Sequence, residues 1–337
     1  MTSQRGFVPR FMHAWRDRLA PLAGKRIGIG VSGGMDSAVL AVLLARLRAA
    51  LNIRRIVLLH LDHGLRPPAE RAADLRVLRR LSRRLRAPLV SARVRIRASS
   101  AGIEAAGRAA RLKFFAQAVR RRRLDSVALA HHLDDRIETF FLFLCRGSGS
   151  RGLSSMRVSE QLGGLTVIRP LLTFTRSEIR AFADLERVEF HEDITNTDRR
   201  FFRNRIRHDL IPLLTSWQPG FLRAMSATLD ALESEDAVLA DLSGEIFRRC
   251  VVSRARRWII LDRARLRGWP PGLLARVLQR AEMELGGSGT FGGHENLSSA
   301  SAALSRSTPF SLDLPGGMTL RMSRDRIELR LPAARAD

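Results

Sequence analysis

The stretch Ser32-Gly33-Gly34-Met35-Asp36-Ser37 follows an apolar run, Gly28 to Val31, and leads at once into a helical pattern. Such a junction gathers free N–H groups and the positive end of a helix dipole. Two glycines let the backbone approach an anion and turn its amides toward it. Ser32 and Ser37 add hydroxyl donors, so Ser32, Gly33, Gly34, Met35 and Ser37 together fit a phosphate group. Asp36 is the odd member, because a carboxylate repels phosphate unless a cation such as Mg²⁺ stands between. No Gly-Lys-Ser/Thr follows, and the G-x-G-x-x-G spacing is absent, so neither a Walker A loop nor a dinucleotide fingerprint is read here. The competing reading is an ordinary strand-to-helix turn with Asp36 near the helix start.

A second group of chemistry-bearing residues is Ala130-His131-His132-Leu133-Asp134-Asp135-Arg136-Ile137-Glu138-Thr139. On a helix, His131, Asp135 and Glu138 fall at i, i+4 and i+7 and share a face. Asp134 is also four residues from Glu138. Crowded carboxylates of this kind need a cation, an ammonium or Mg²⁺. Asp36 and Asp134 are the candidate metal ligands. The alternative is a helix start in which Asp134 and Asp135 complement the dipole and the histidines pack.

Asp62, His63 and Arg66 stand just past a strand-like run, where open parallel sheets bind ligands, with loop structure as the alternative. Arg146-Gly147-Ser148-Gly149 is a flexible loop with one cation, a phosphate contact or a plain linker. Asp193, Thr195 and Asn196 could order a turn. Arg203, Asn204, Arg205 and Arg207 make a dense polar run that would suit an RNA backbone or a solvated surface.

The elements that must position these residues are legible. Strand-like runs at 26–31, 55–61, 88–94 and 126–131 alternate with helix-like stretches at 38–49, 69–85 and 103–119. A run at 167–172 and a helix at 176–186 follow. That alternation predicts an α/β fold with a doubly wound, mostly parallel sheet. In the second helix Leu75, Leu78, Leu81 and Leu85 recur at helical spacing while arginines fill the other face, which reads as a solvated outer helix or an RNA-contacting one. Ser216-Trp217-Gln218-Pro219-Gly220 is a breaker cluster and the expected domain boundary. The expected division is therefore 1–214 and 221–337. The second part reads as mainly helical, with a small terminal β element around Pro315-Gly316-Gly317.

The chain of 337 residues is 45% hydrophobic, enough for a substantial core, and two domains are expected. Its apolar runs fall far short of the roughly 20 residues of a membrane span. Its first residues lack the apolar core of a signal peptide. A cytoplasmic location is expected. Cys145 and Cys250 form no CxxC, which argues against a disulfide scaffold or zinc ribbon. The formal net charge is +25, which calls for a polyanionic partner, nucleic acid before membrane. Only Lys25 and Lys113 are lysines and tyrosine is absent, so that charge is almost all arginine, which forks onto phosphate.

The loop Ser32–Ser37 resembles the PP-loop of the ATP pyrophosphatases. The later motifs, LDHGLR at 61–66, GIEAAGRAARLKFF at 102–115, AHHLDDRIET at 130–139, RGSGSRGL at 146–153, RPLL at 169–172 and the run at 192–214, resemble in this order the tRNA(Ile)-lysidine synthetases. The likeness is strong over about residues 24–214 and loose beyond. It implies adenylation, with ATP and Mg²⁺, of C2 of the wobble cytidine in an isoleucine tRNA with a CAU anticodon. L-lysine then attacks through its ε-amine, AMP leaves, and the product is lysidine. The resemblance further implies that Asp36, Arg108, Asp135 and Glu138 are catalytic, Arg108 standing near the charge that builds on the adenylated oxygen, with Arg111 behind it. Ser32 to Ser37, Asp62 and His63 would line the ATP site. Asp135, Glu138 and His131 would hold lysine, and Arg146, Arg203, Asn204 and Arg207 would meet tRNA, as would residues 221–337. Arg136 departs from the family's usual glutamine, which leaves its role open. No membrane and no stable protein partner are expected, a homodimer being left open. The alternatives are a PP-loop tRNA thiolase, a small-molecule amide synthetase, and an inactive PP-loop protein that binds RNA.

Overall fold

The computed structural model describes residues 6–64, 67–95, 102–154, 156–191, 199, 201–287, 289–304 and 309–332. Two compact units divide the chain, Met1–Leu229 and Asp230–Asp337.

The first unit is built on a six-stranded sheet with the order β3-β2-β1-β4-β6-β5, where β1 is Arg26–Gly30, β2 Arg55–Asp62, β3 Leu89–Arg93, β4 Ser126–Ala128, β5 Ser159–Leu162 and β6 Leu165–Ile168. The first four strands and β6 are parallel, and β5 adds an antiparallel edge. Helices Met35–Arg46, Pro68–Leu85 and Gly102–Arg122 are the crossovers. The fold class is the expected one. Alternation along β2 explains why its sequence is almost wholly apolar. Ile56 and Leu58 join a core on one face with Leu40, Leu43, Phe174 and Phe182, and Val57 and Leu59 join another on the opposite face with Phe114, Phe115 and Val167. A strand covered on both faces reads as an apolar run. The helix Phe7–Arg18 closes the first core with Phe7, Phe11 and Trp15.

The unit runs past the expected boundary at residues 215–220, into the helix Phe221–Cys250. The reason is packing. Phe221, Leu222, Met225 and Leu229 lie against Leu133, Ile137, Ile206 and Ile211, so the first turns of that helix complete the first unit.

The second unit has a five-stranded antiparallel sheet, β7-β8-β11-β10-β9, in which β7 is Val251–Ala255, β8 Trp258–Asp262, β9 Phe310–Leu314, β10 Met318–Met322 and β11 Arg326–Arg330. The terminal β element lies where it was expected. The hairpin β7–β8 is an addition, set within a stretch that reads as helical in sequence. Helices Pro271–Glu284 and His294–Leu304 pack on this sheet through Leu274, Val277, Leu278 and Ala300. Among the described residues no helix is long and apolar enough to cross a membrane.

Candidate active site

The strand order reverses between β1 and β4, which is where an open α/β sheet forms a crevice at its carboxyl ends. The chain leaves β1 into Val31–Gly34 and leaves β4 into Leu129–His132, so the two candidate motifs meet there.

The loop after β1 is held by its own side chains. Ser32 N–H donates to Ser37 Oγ at 3.2 Å, Gly34 N–H donates to Ser32 Oγ at 3.2 Å, and Ser37 Oγ–H donates to Gly34 O at 3.0 Å. Gly33 has φ +95°, and a Cβ there would lie 3.1 Å from Asp74 Oδ1. Its carbonyl accepts the His191 N–H at 2.9 Å. Met35 opens the helix, and Ser37 is buried in its first turn.

Asp36 faces the second motif. Its Oδ2 lies 3.9 Å from His132 Nε2, while its Oδ1 is buried without a hydrogen-bond partner among the described residues. Burial raises its pKa against the opposing pull of His132 and Arg176. A carboxylate short of partners beside a phosphate-type loop fits a cation, and Mg²⁺ commonly takes only one or two carboxylates, with phosphates and water completing its shell.

His132, rather than His131, is the centre of the acidic cluster. Its Nε2 is 3.4 Å from Asp135 Oδ2 and its Nδ1 is 3.5 Å from Asp134 Oδ2. Burial opposes the imidazolium, but Asp135, Asp134 and Asp36 outweigh it and raise the His132 pKa. The helix begins at Leu133, with His132 as its extended N-cap residue and His131 before that. The helical spacing expected of His131, Asp135 and Glu138 therefore does not apply to His131. Its Nδ1 accepts from Arg169 Nε at 3.2 Å, a contact that follows from the neighbouring ends of β4 and β6. Burial, with Arg169, Arg203 and Arg111 nearby, lowers its pKa to about 4 despite Asp135, so it is neutral. Arg169 is itself buried and donates to Arg157 O and Glu160 Oε2.

Asp135 and Glu138 lie on the helix Leu133–Leu144, and their cations come from elsewhere in the chain. Arg203 Nε donates to Glu138 Oε2 at 2.8 Å, and Arg207 donates to both Glu138 oxygens. Both guanidinium groups also reach Asp135 Oδ1, at 3.3 and 3.4 Å. Arg203 and Arg207, expected on RNA, are here bound to the cluster expected to hold lysine. Asn204, between them, is half-buried. Asp134 Oδ2 accepts the Arg176 N–H at 2.8 Å, which anchors the neighbouring helix Arg176–Leu185.

Arg136 is 1% exposed, and its Nη2 donates to Leu229 O at 2.9 Å. It joins the acidic helix to the helix Phe221–Cys250. The role that the sequence leaves open for Arg136 is thus, in this structure, a buried packing one.

At the crevice rim, Asp62 Oδ1 accepts the Gly64 N–H at 2.8 Å, and Arg71 and Arg93 flank its Oδ2. Burial and Arg111 lower the pKa of His63. Arg111, rather than Arg108, is the cation whose charge bears on both His63 and His131. Arg108 is exposed on the helix Gly102–Arg122, and Arg146 is exposed in the turn after Leu144. Arg66, Asp193, Thr195 and Asn196 lie outside the described residues.

The chain is 37% identical over 265 residues to a tRNA(Ile)-lysidine synthase of Geobacter sulfurreducens, covering 77% of this chain and 55% of the relative. It is 33% identical over 313 residues to one of Symbiobacterium thermophilum, covering 90% of this chain and 64% of the relative. The chain thus spans about half to two thirds of the length of the curated relatives it matches. Among solved structures, the U34-tRNA thiolase of Methanococcus maripaludis superposes with a TM-score of 0.57 at 15% identity, over 68% of this chain and 80% of its own, a likeness of fold. The PP-loop domain family matches residues 9–214, the span that holds the phosphate-type loop and the acidic cluster, and the chain belongs to that family.

Proposed function

We propose that this protein makes lysidine in an isoleucine tRNA with a CAU anticodon. The C2 oxygen of the wobble cytidine attacks the α-phosphorus of ATP and pyrophosphate leaves. The ε-amine of L-lysine then bonds to C2, and the adenylated oxygen departs with AMP. The observation that carries this reading is the linkage of the Ser32–Ser37 loop to the His132 cluster through Asp36, a phosphate-type site beside buried carboxylates.

In this reading the loop amides and the Ser32 and Ser37 hydroxyls hold the phosphates. Asp36 would hold Mg²⁺, with Asp134 nearby, and the bound ion would draw charge from the phosphates as pyrophosphate leaves. Asp135 and Glu138 accept the lysine ammonium. A carboxylate has about four acceptor positions, so it can serve an arginine and an ammonium together. Arg203 and Arg207 then balance the charge of both acids, and Arg111, with Arg108, faces charge building on the adenylated oxygen. Asp62 and His63 border the nucleotide, and Arg146 meets RNA. A cytoplasmic location accompanies this function.

The charge supports an RNA substrate, and its distribution refines the expectation for residues 221–337. Residues 230–337 carry 16 arginines and 14 acidic residues, so only 2 of the 25 net charges lie there. The salt-dependent part of RNA binding then belongs mainly to the first unit, with the second contacting RNA by shape.

The test is incorporation. ATP, radiolabelled lysine and CAU-anticodon tRNA are incubated with the protein, and label in the RNA is the expected result. Sulfur incorporation in place of lysine would favour the thiolase reading, against which Cys145 and Cys250 stand as isolated free thiols. ATP turnover with a small carboxylic acid and no RNA would favour an amide synthetase.

A further inference from the structure

The parallel strands have two edges. The carboxyl edge carries the candidate site. The amino edge carries Lys25, Arg48, Arg54, Arg55, Arg86 and the arginine run at 120–123, all with exposed side chains. They come from different elements, yet the fold brings them together. Arg26 and Arg55 are register partners in β1 and β2. Arg54 and Arg55 both donate their N–H groups to Lys25 O, at 2.7 and 3.1 Å. The Arg55 side chain reaches Arg122 O at 3.5 Å, and the residue after Arg86 and Ala87, Pro88, accepts the Leu58 N–H.

Few carboxylates answer this charge. Asp125 is bound by the Arg26 side chain, at 2.6 Å, and by the Lys25 and Arg26 N–H groups. Glu186 is bound by Arg46. Helix dipoles account for part of the pattern, since cations suit the last turn of a helix. They do not account for Lys25 and Arg54, which stand one residue before β1 and β2, or for Arg55, which opens β2. Adjacent strands are about 4.8 Å apart, well inside the Debye length of about 8 Å, so these charges repel in the free protein. Two of the arginines, Arg86 and Arg123, also hold positive φ, +49° and +52°, at the ends of their helices, where glycine is usual.

We propose that this amino edge is a second RNA-binding face, which takes the phosphate backbone of a double-helical RNA arm away from the reacting nucleotide. A ridge of guanidinium groups fits consecutive phosphates and needs no base sequence. The face lies about 26 Å from the candidate site, the length of the eight-residue strand β2. The proposal rests on the reading of RNA as substrate, but not on lysine as nucleophile.

The test uses the full chain and a blunt RNA duplex without loops, with affinity measured across a salt series. The variant carries Arg54→Gln, Arg55→Gln, Arg121→Gln and Arg122→Gln. Each phosphate contact contributes about −0.9 to the slope of log K against log salt. The slope is expected to become shallower by about three to four, with weaker binding at low salt. The same four positions changed to lysine should restore the slope, which a merely structural role would not. An unchanged slope and affinity in the glutamine variant would overturn the proposal. So would vesicles of phosphatidylserine and phosphatidylcholine that bind the native chain and lose the variant while duplex binding stays unmoved, an outcome that would make the face a membrane contact. Duplex binding without lysine incorporation would remove the lysidine reading and leave this face standing.

Discussion

Arg203 Nε donates to Glu138 Oε2 across 2.8 Å, and the Glu138 side chain is wholly buried. A buried carboxylate without its cation is strongly destabilising. Arg203→Gln leaves Arg207 in place and Arg203 is partly exposed, so the loss should be moderate, about 1–3 kcal/mol. Glu138→Gln together with Arg203→Gln should cost less than the two singles added, because the removed groups are each other's partners. Additive losses in denaturant unfolding would show that the contact is not a working pair. In the same variants the KM for lysine should rise more than the KM for ATP.

Arg136 gives a stability prediction distant from the chemistry. Arg136→Ala removes the donor to Leu229 O and empties a buried site, and should cost about 2–4 kcal/mol. Arg136→Gln keeps a donor and should cost less. Thermal unfolding checks both, and a loss below about 0.5 kcal/mol for the alanine variant would contradict the buried placement.

Gly33→Ala tests the loop. At φ +95° an L side chain is strained, and its Cβ meets Asp74 at 3.1 Å. The strain is on the order of 1–2 kcal/mol, and the loop amides would leave their phosphate-holding geometry. Pyrophosphate release should fall far more than global stability. A normally active, normally stable alanine variant would show that the loop does not need this conformation.

The fold was largely legible because buried parallel strands read as apolar runs and their crossover helices begin at glycine or proline. The hairpin β7–β8 was not, because Arg256-Arg257 carries no glycine, asparagine or proline to mark a turn after a 30-residue helix. In the site, Asp36, Asp135 and Glu138 could be picked out because they belong to short motifs. Their ion pairs with Arg203 and Arg207 could not, since those partners lie 65 to 72 residues away and only tertiary packing joins them. The exchange of His131 for His132 turned on one residue of phase. The helix starts at Leu133, so the helical period does not reach back to His131.

The two adjacent histidines should titrate apart. His131 has a pKa near 4, and His132 is raised above 6.5. NMR of histidine-labelled protein should show His132 protonated and His131 neutral at pH 6.5. Titration of both near pH 6.5 would contradict the assigned partners. The signs for stability are opposite. The depressed His131 contributes stability above pH 6.5 that is lost as pH falls from 6.5 toward 4. The raised His132 contributes stability below 6.5 that is lost as pH climbs through its folded value. His131→Asn should therefore flatten the acid side of the stability profile, by about 1 kcal/mol per pH unit across that window.

In the proposed reaction the PP-loop site activates RNA rather than lysine. It is tested most directly with ATP labelled in the α-phosphate, CAU-anticodon tRNA and no lysine. Label is expected to be bound covalently to the RNA, released as AMP when lysine is added, and absent with Asp36→Asn. Label carried on lysine in the absence of RNA, or an Asp36→Asn variant that adenylates RNA at the native rate, would contradict it.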